Sequence, residues 1–424
     1  MVKSVLRRCC VLLLLLLLLP YSAAAAAETG TAVKSDEEAN TASVWEPGDT
    51  SYKDTLSGIE ITVYEKLETA FAADAVEIKN GYWWLDGAYT ESFAFSGNGN
   101  TALKTWLNSV YSSVNNACVA FLYDHPEYFW IRMDCRYSTR ASVYQNTMTA
   151  SVSVGFRVQP SCGTKAVRDS LKTQVDAVVE TLMTATENMG VVEKLAYWDN
   201  WLAANNAYNT EAARNLNSIK VDDTPWNVSG ALLSGKSPVC EGYAKAFQLL
   251  CHKAGIPCLQ MSGTSKGQGH MWTAVQVDGA WYLCDPAWND PLYRNAQTGR
   301  TTQKDFSVRT YFLTAQSAEY VRDSVLAYPT MAEKDYFTDW DLTTDALLGS
   351  EVGNNRMMIV LYDANGNMIA RENCPRFYWT GEGGNATYRC IAPSFSAEAL
   401  GRTVRAARVY VNDAYATWGS RPIS

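Results

Sequence analysis

Histidine is scarce in this chain, with three among 424 residues, at His125, His252 and His270. Chemistry that needs an imidazole therefore has three candidates. No segment repeats, which excludes solenoid and propeller architectures, and no glycine loop is built to cradle phosphate; GNGN at Gly97 to Asn100 is a turn signal only. Cys251, His252 and Cys258 lack a second pair at zinc-like spacing, so no metal site is expected. The apolar run from Val11 to Leu19 is short for a membrane span, so no transmembrane anchor is expected. Basic residues number 36 against 44 acidic ones, a net charge of -8, which makes nucleic acid and anionic membrane surfaces poor partners.

The N-terminus has the plan of a secretory signal over residues 1–27: Lys3, Arg7 and Arg8, the apolar run, then alanines suited to cleavage. Cys9 and Cys10 precede that run and none follows it closely, so a lipoprotein anchor has no support. Cleavage would remove three bases and no acid, taking the charge from -8 to -11. A secreted or cell-surface location is expected. Residues 28–55 are small, polar and without periodicity, as in a flexible linker. Nine cysteines would remain: Cys118, Cys135, Cys162, Cys240, Cys251, Cys258, Cys284, Cys374 and Cys390. In an oxidising compartment an odd set fits one reactive thiol and as many as four disulfides, with Cys118–Cys135 and Cys374–Cys390 as candidate pairs.

The richest stretch runs from Ser237 to Asp290. Pro238 is compatible with a first helical turn, and Ala244, Phe247, Leu250, Cys251 and Ala254 recur at helical spacing until Gly255 and Pro257 stop the pattern. Cys240 then faces unpaired backbone N–H groups and the positive end of the helix dipole, which stabilise a thiolate. From His270 the period changes to two, and Asp278-Gly279 is a two-residue hairpin signal. A type I′ turn there sets Val277 opposite Ala280, Gln276 opposite Trp281, Ala274 opposite Leu283 and Trp272 opposite Asp285. His270 becomes the diagonal neighbour of Asp285, roughly 7 Å or less between Cβ atoms. An imidazole beside a carboxylate has its tautomer fixed and its protonated form stabilised. A Cys at a helix start is by itself more often structural; the accompanying His and Asp point to a nucleophile, a base and an orienting group. Asp285 also reads as a strand terminator before Pro286.

These residues resemble the transglutaminase-like superfamily over about Val191 to Tyr336: VCEGYAKAF is similar to its Cys motif, and GHMWTAVQVDGAWYLCDPAW to its His and Asp motifs. Cys251-His252 departs from the ordinary core and surface residues expected on that helix. The resemblance implies a papain-like core with Cys240, His270 and Asp285 as catalytic triad. It implies no cofactor, since the calcium used by some relatives needs an acidic cluster that is not recognisable here. An oxyanion needs a second donor beside the Cys240 N–H; Trp226 is a candidate, with loop packing as its other reading.

The fold expected is α+β: an N-terminal mixed α/β accessory domain over 56–190, a transglutaminase-like catalytic core over 191–336, and a C-terminal β-sandwich-like domain over 337–424. Within the accessory domain, Thr101 to Phe121 and Lys165 to Met183 read as helices, MTASVSVGFRV as a strand, and YDHPEYFWIRM as a segment that precedes the core in bacterial members of the superfamily. The function expected is a secreted cysteine-dependent enzyme acting on amide bonds of protein or peptide substrates, cell-wall peptide included, through a thioester. Hydrolysis is favoured over amine transfer because GTSKGQG, before His270, reads as an open, polar loop. The alternative is a catalytically silent peptide- or wall-binding module that keeps the fold.

Overall fold

Small polar and apolar residues alternate through TMTASVSVGFRV, so every second side chain faces inward: Met148, Ala150, Val152, Val154, Phe156 and Val158 are all buried. The computed structural model describes residues 45–73, 78–215, 222–233, 235, 237–290, 311–323 and 326–336, and beyond these the segments 292–294, 301–303, 342–345, 357–362, 367–373, 376–380, 387–391, 406–411 and 414–422. The expected signal segment, most of the linker and Cys374 lie outside the described residues. The architecture is mixed α+β, and no helix among the described residues is long and apolar enough to cross a membrane. Two compact units divide the chain: residues 1–172 with 262–270 and 319–330, and residues 173–261 with 271–318 and 331–424.

The first unit has helices α1 (Gly58–Ala72) and α2 (Gly99–Asp124) and an antiparallel sheet of β1 (Ile78–Lys79), β2 (Tyr82–Ala94), β3 (Ile131–Tyr144) and β4 (Thr147–Val158), in the order β1-β2-β4-β3. Phe71 of α1 joins helices to sheet, with ring centroids 4.1 Å from Trp83, 4.9 Å from Phe121 and 5.9 Å from Phe156. Burying such rings supplies apolar area and geometry together. Cys118 and Cys135, a candidate pair from the sequence, are free and neighbouring thiols. A strand bulge between Arg132 and Cys135 sets the second thiol's place.

Helix α3 (Lys165–Ala185) runs out of this unit, and α4 (Val191–Asn205), α5 (Thr210–Arg214), α6 (Val228–Leu232) and α7 (Cys240–Lys253) follow. Strands β5 (Cys258–Ser265), β6 (Gln268–Val277) and β7 (Ala280–Cys284) lead to the short helix α8 (Pro286–Asn289), then β8 (Leu292–Arg294) pairs with β9 (Thr301–Gln303). With β10 (Phe312–Thr314) and β11 (Tyr320–Arg322) the central sheet has the order β10-β7-β6-β5-β11. The β6–β7 register is the expected one from Val277↔Ala280 to Thr273↔Cys284. Asp278 and Gly279 both have positive φ, 50° and 80°, as a type I′ turn requires. Further on, β12 (Leu342–Asp345), β13 (Met357–Tyr362), β14 (Met368–Asn373), β15 (Arg376–Thr380), β16 (Thr387–Ile391), β17 (Ala406–Val411) and β18 (Ala414–Pro422) form two antiparallel sheets, β12-β16-β15 and β14-β13-β17-β18.

Helix α7 starts at Cys240, two residues later than the proline pattern implied, because the Val239 N–H is taken by the Pro225 carbonyl at 2.8 Å and Val239 keeps an extended backbone. Gly242, in its first turn, lies against the 225–227 loop: a Cβ there would stand 2.6 Å from the Pro225 oxygen and 2.9 Å from the Pro238 Cβ. Gly242→Ala should therefore cost about 1–3 kcal/mol by overpacking, read as a lower denaturant midpoint at unchanged slope. A variant as stable as the parent would show that the loop gives way freely.

Asp124, at the end of α2, is buried, and burial pushes its carboxyl up to about 6 against the hydrogen bonds it accepts from the Tyr52 and Lys53 N–H groups and the Tyr64 hydroxyl. His125 beside it favours the charged form as well, while Glu68 and Glu127 stand close to His125. The folded state thus holds this proton more tightly than the unfolded chain. Its stabilising effect is complete below about pH 4 and is lost as pH rises through about 6. Unfolding free energies across that window should fall in the parent by about 3 kcal/mol relative to Asp124→Asn. Parallel pH profiles for the two proteins would rule this out.

Candidate active site

Four hydrogen bonds to backbone carbonyls bring the chain to Cys240. The Asn209 N–H donates to the Pro238 carbonyl at 2.9 Å, its side-chain amide donates to the Ser237 carbonyl at 3.3 Å, and the Asn206 amide joins the Leu202 and Ala231 carbonyls at 2.9 Å each. Segment 206–209 is thereby fixed alongside the residues that precede the helix. Tyr208, between these two asparagines, has its hydroxyl within hydrogen-bond reach of both the Cys240 thiol and the Cys240 backbone N–H. Burial first, and then the neighbouring Cys240 and Asp285, raise its phenol above the ordinary tyrosine range, so it stays a proton donor. Its ring stacks against Tyr243 of α7, centroids 6.3 Å apart and planes 15° apart.

Trp226 has a different place. It is buried in an apolar cluster with Ala212 and Val239, against which Tyr208 and Ala213 pack. The packing reading of Trp226 fits this setting, and Tyr208 supplies the hydroxyl at the thiol. A single tyrosine between helices has no periodic signature; the polar run NNAYN, whose asparagines can tie loops to backbone, was the available clue.

Asp285 is fully buried and caps α8: its Oδ1 accepts from the Trp288 N–H at 3.0 Å, and Pro286 fills the first helical position. The β6–β7 ladder accordingly ends at Thr273↔Cys284, one pair short of the expected Trp272 and Asp285 pair, because Asp285 turns out of the strand to start the helix. The Asp285 N–H donates to the Tyr311 carbonyl at 2.8 Å, while Asn289 accepts from the Tyr311 N–H at 2.8 Å and donates to buried Asp199 of α4 at 3.0 Å. Sequence DPAWN held the capping signal in its Asp-Pro start.

His270 is the third residue of β6, half-buried, with its ring 6.2 Å from that of Tyr320 on β11. The Tyr208 phenol thus lies beside Cys240 and feels the charge of Asp285, and His270 is on β6, which pairs with β7, the strand leading into Asp285. His125 hydrogen-bonds Tyr64 and Glu127, and His252 bonds the Cys258 carbonyl at 2.8 Å. Cys251 and Cys284 are buried, and burial raises both thiols well above their ordinary range. Among the described residues no group of three or more His, Cys, Asp or Glu side chains is placed to hold a metal ion. Trp272 and Trp281 are buried packing residues, while Trp288 is partly exposed.

Residues 176–286 match the transglutaminase-like superfamily. Kyphoscoliosis peptidase of Mus musculus is 26% identical over 135 residues, 29% of this chain, and Hillarin of Drosophila melanogaster is 25% identical over 205 residues, 43% of this chain. The matched stretches span 19% and 24% of those relatives' own lengths. A solved TGase is 15% identical and covers 38% of this chain and 47% of its own, with a TM-score of 0.27. A cysteine-dependent enzyme fits this kinship, and the chain carries, over residues 176–286, a domain of the transglutaminase-like superfamily.

Proposed function

We propose that the protein is a secreted cysteine-dependent enzyme that cleaves amide bonds of protein or peptide substrates through a thioester. The observation that carries this reading is the thiol of Cys240 at the first position of a buried helix, its own N–H and the Tyr208 hydroxyl converging beside it. Cys240 attacks the carbonyl carbon, and the carbonyl oxygen gathers negative charge. His270 takes the thiol proton and returns it to the leaving amine, while Asp285 holds the imidazole in the tautomer this requires. Water then attacks the thioester while His270, neutral again, takes a proton from it, and Cys240 leaves as thiolate with the acid released. The Cys240 N–H and the Tyr208 hydroxyl are the donors that meet the oxyanion. The kinship with a peptidase by name supports a protein or peptide substrate.

The test is an amide-containing peptide offered with a labelled primary amine, both products being counted. Free acid should exceed the amine adduct, and both should vanish in Cys240→Ser. An iodoacetamide probe at neutral pH should mark Cys240 ahead of the buried thiols. Equal labelling of several cysteines, unchanged by Cys240→Ser, would sink the enzyme reading.

Tyr208→Phe keeps the ring against Tyr243 and removes only the hydroxyl, so folding should be little changed. The loss of one oxyanion donor should lower kcat by about 10²–10³. A rate equal to the parent's or higher would instead assign the hydroxyl to holding the resting thiol.

A further inference from the structure

The segment YDHPEY is not used by the proposed chemistry, yet its first two residues are buried and bonded to distant parts of the chain. Asp124 ties down residues 52 and 53, as above. Tyr123, one position earlier, points its hydroxyl at Ser262 of β5 and donates to the Ser262 Oγ at 2.9 Å, across 139 positions of sequence. The Ser262 hydroxyl donates in turn to Asp323, directly after β11, and the Tyr328 hydroxyl donates to the other oxygen of that carboxylate at 3.0 Å. The backbone repeats the link, since the Asp323 N–H donates to the Ser262 carbonyl at 3.0 Å. Tyr52 fits edge-on between the two tyrosines, 5.7 Å from Tyr123 and 6.0 Å from Tyr328. The polar chain thus runs from Tyr123 through Ser262 and Asp323 to Tyr328, with the Tyr52 ring packed against both end tyrosines.

What it grips is the support of His270. β11 pairs with β5 through Tyr320↔Ser265, Val321↔Thr264 and Arg322↔Gly263, and Tyr320 is the residue whose ring flanks His270. Gly263 lets the two strands close: a Cβ there would stand 2.0 Å from the Val321 oxygen. Residues 262–270 and 319–330 accordingly belong to the same compact unit as the N-terminal helices and sheet.

We infer that Tyr123, Ser262 and Asp323 are positioning residues for His270, so that the N-terminal part of the chain is a brace for the base. This rests on the reading of His270 as the general base. The brace acts through β11 and Tyr320 rather than by touching substrate. A group held through a chain of hydrogen bonds keeps its aim, and a displacement of about 1 Å in a catalytic group can cost as much as 10² in rate.

The chain's three histidines make the test direct. The whole protein, labelled with ¹⁵N in its imidazoles, gives three sets of ring signals, assigned by His125→Gln, His252→Gln and His270→Gln. Tyr123→Phe and Ser262→Ala should shift the His270 signals and their titration midpoint, and should lower kcat about tenfold with KM unchanged. Ser262→Thr, which keeps the hydroxyl, should restore both. Tyr137→Phe is the control: it removes a hydroxyl bonded to Asn115 in the same unit, without a link to Ser262, and should leave the His270 signals in place. Ser262→Ala carries the test if Tyr123→Phe does not fold. His270 signals unchanged from the parent in folded Tyr123→Phe and Ser262→Ala would overturn the brace. A parent chain that cleaves no amide would defeat the proposed function, and the His270 signals would still decide whether the brace exists.

Discussion

The hydrogen bond from the Val239 N–H to the Pro225 carbonyl is the constraint on which the candidate site depends. It holds Val239 extended and so makes Cys240, rather than an earlier residue, the first of the helix. From that start follow the exposure of the Cys240 N–H beyond the helical ladder, its meeting with Tyr208, and the close approach of Gly242 to the loop. Moved by one residue, the helix would turn the thiol about 100° away from Tyr208. Few apolar contacts have that leverage, because burial is indifferent to direction while a backbone hydrogen bond is not.

The first unit shows the two kinds of force side by side. Phe71, Trp83, Phe121 and Phe156 give it an apolar centre, whose energy comes from area removed from water. At the edge of that centre stand Asp124, Tyr64 and His125, polar groups that have exchanged water for one another. Such groups add little net stability when satisfied and cost much when one partner is removed, so they select one arrangement of neighbours. Strand pairing has a similar role at β5 and β11, where Gly263 admits a contact that a larger residue would forbid.

Local patterns revealed most of what the sequence could show. The helix of Cys240, the Asp278-Gly279 turn and the register through Thr273↔Cys284 all follow from periods of 3.6 and 2 and from the φ preferences of a two-residue turn. Long-range partners were not legible, because no period in Asn206 to Asn209 announces that Tyr208 will meet a thiol 32 positions later. The link from Tyr123 to Ser262 is hidden for the same reason. Asp285 is an intermediate case. Its Asp-Pro start spells a helix cap, yet a strand reading hides it, since the same Asp also ends a run of alternating residues.

That double duty of Asp285 bears on how descendants of such a chain would drift. The cap, in which its Oδ1 accepts from the Trp288 N–H, gives the carboxylate a reason to persist that belongs to folding alone. A lineage that abandoned chemistry could lose the thiol of Cys240 without disturbing the core, but would keep Asp285 to preserve the corner after β7. In comparing distant kin, an aspartate at this corner is therefore a poor sign of an active enzyme, and the cysteine is the residue to ask about.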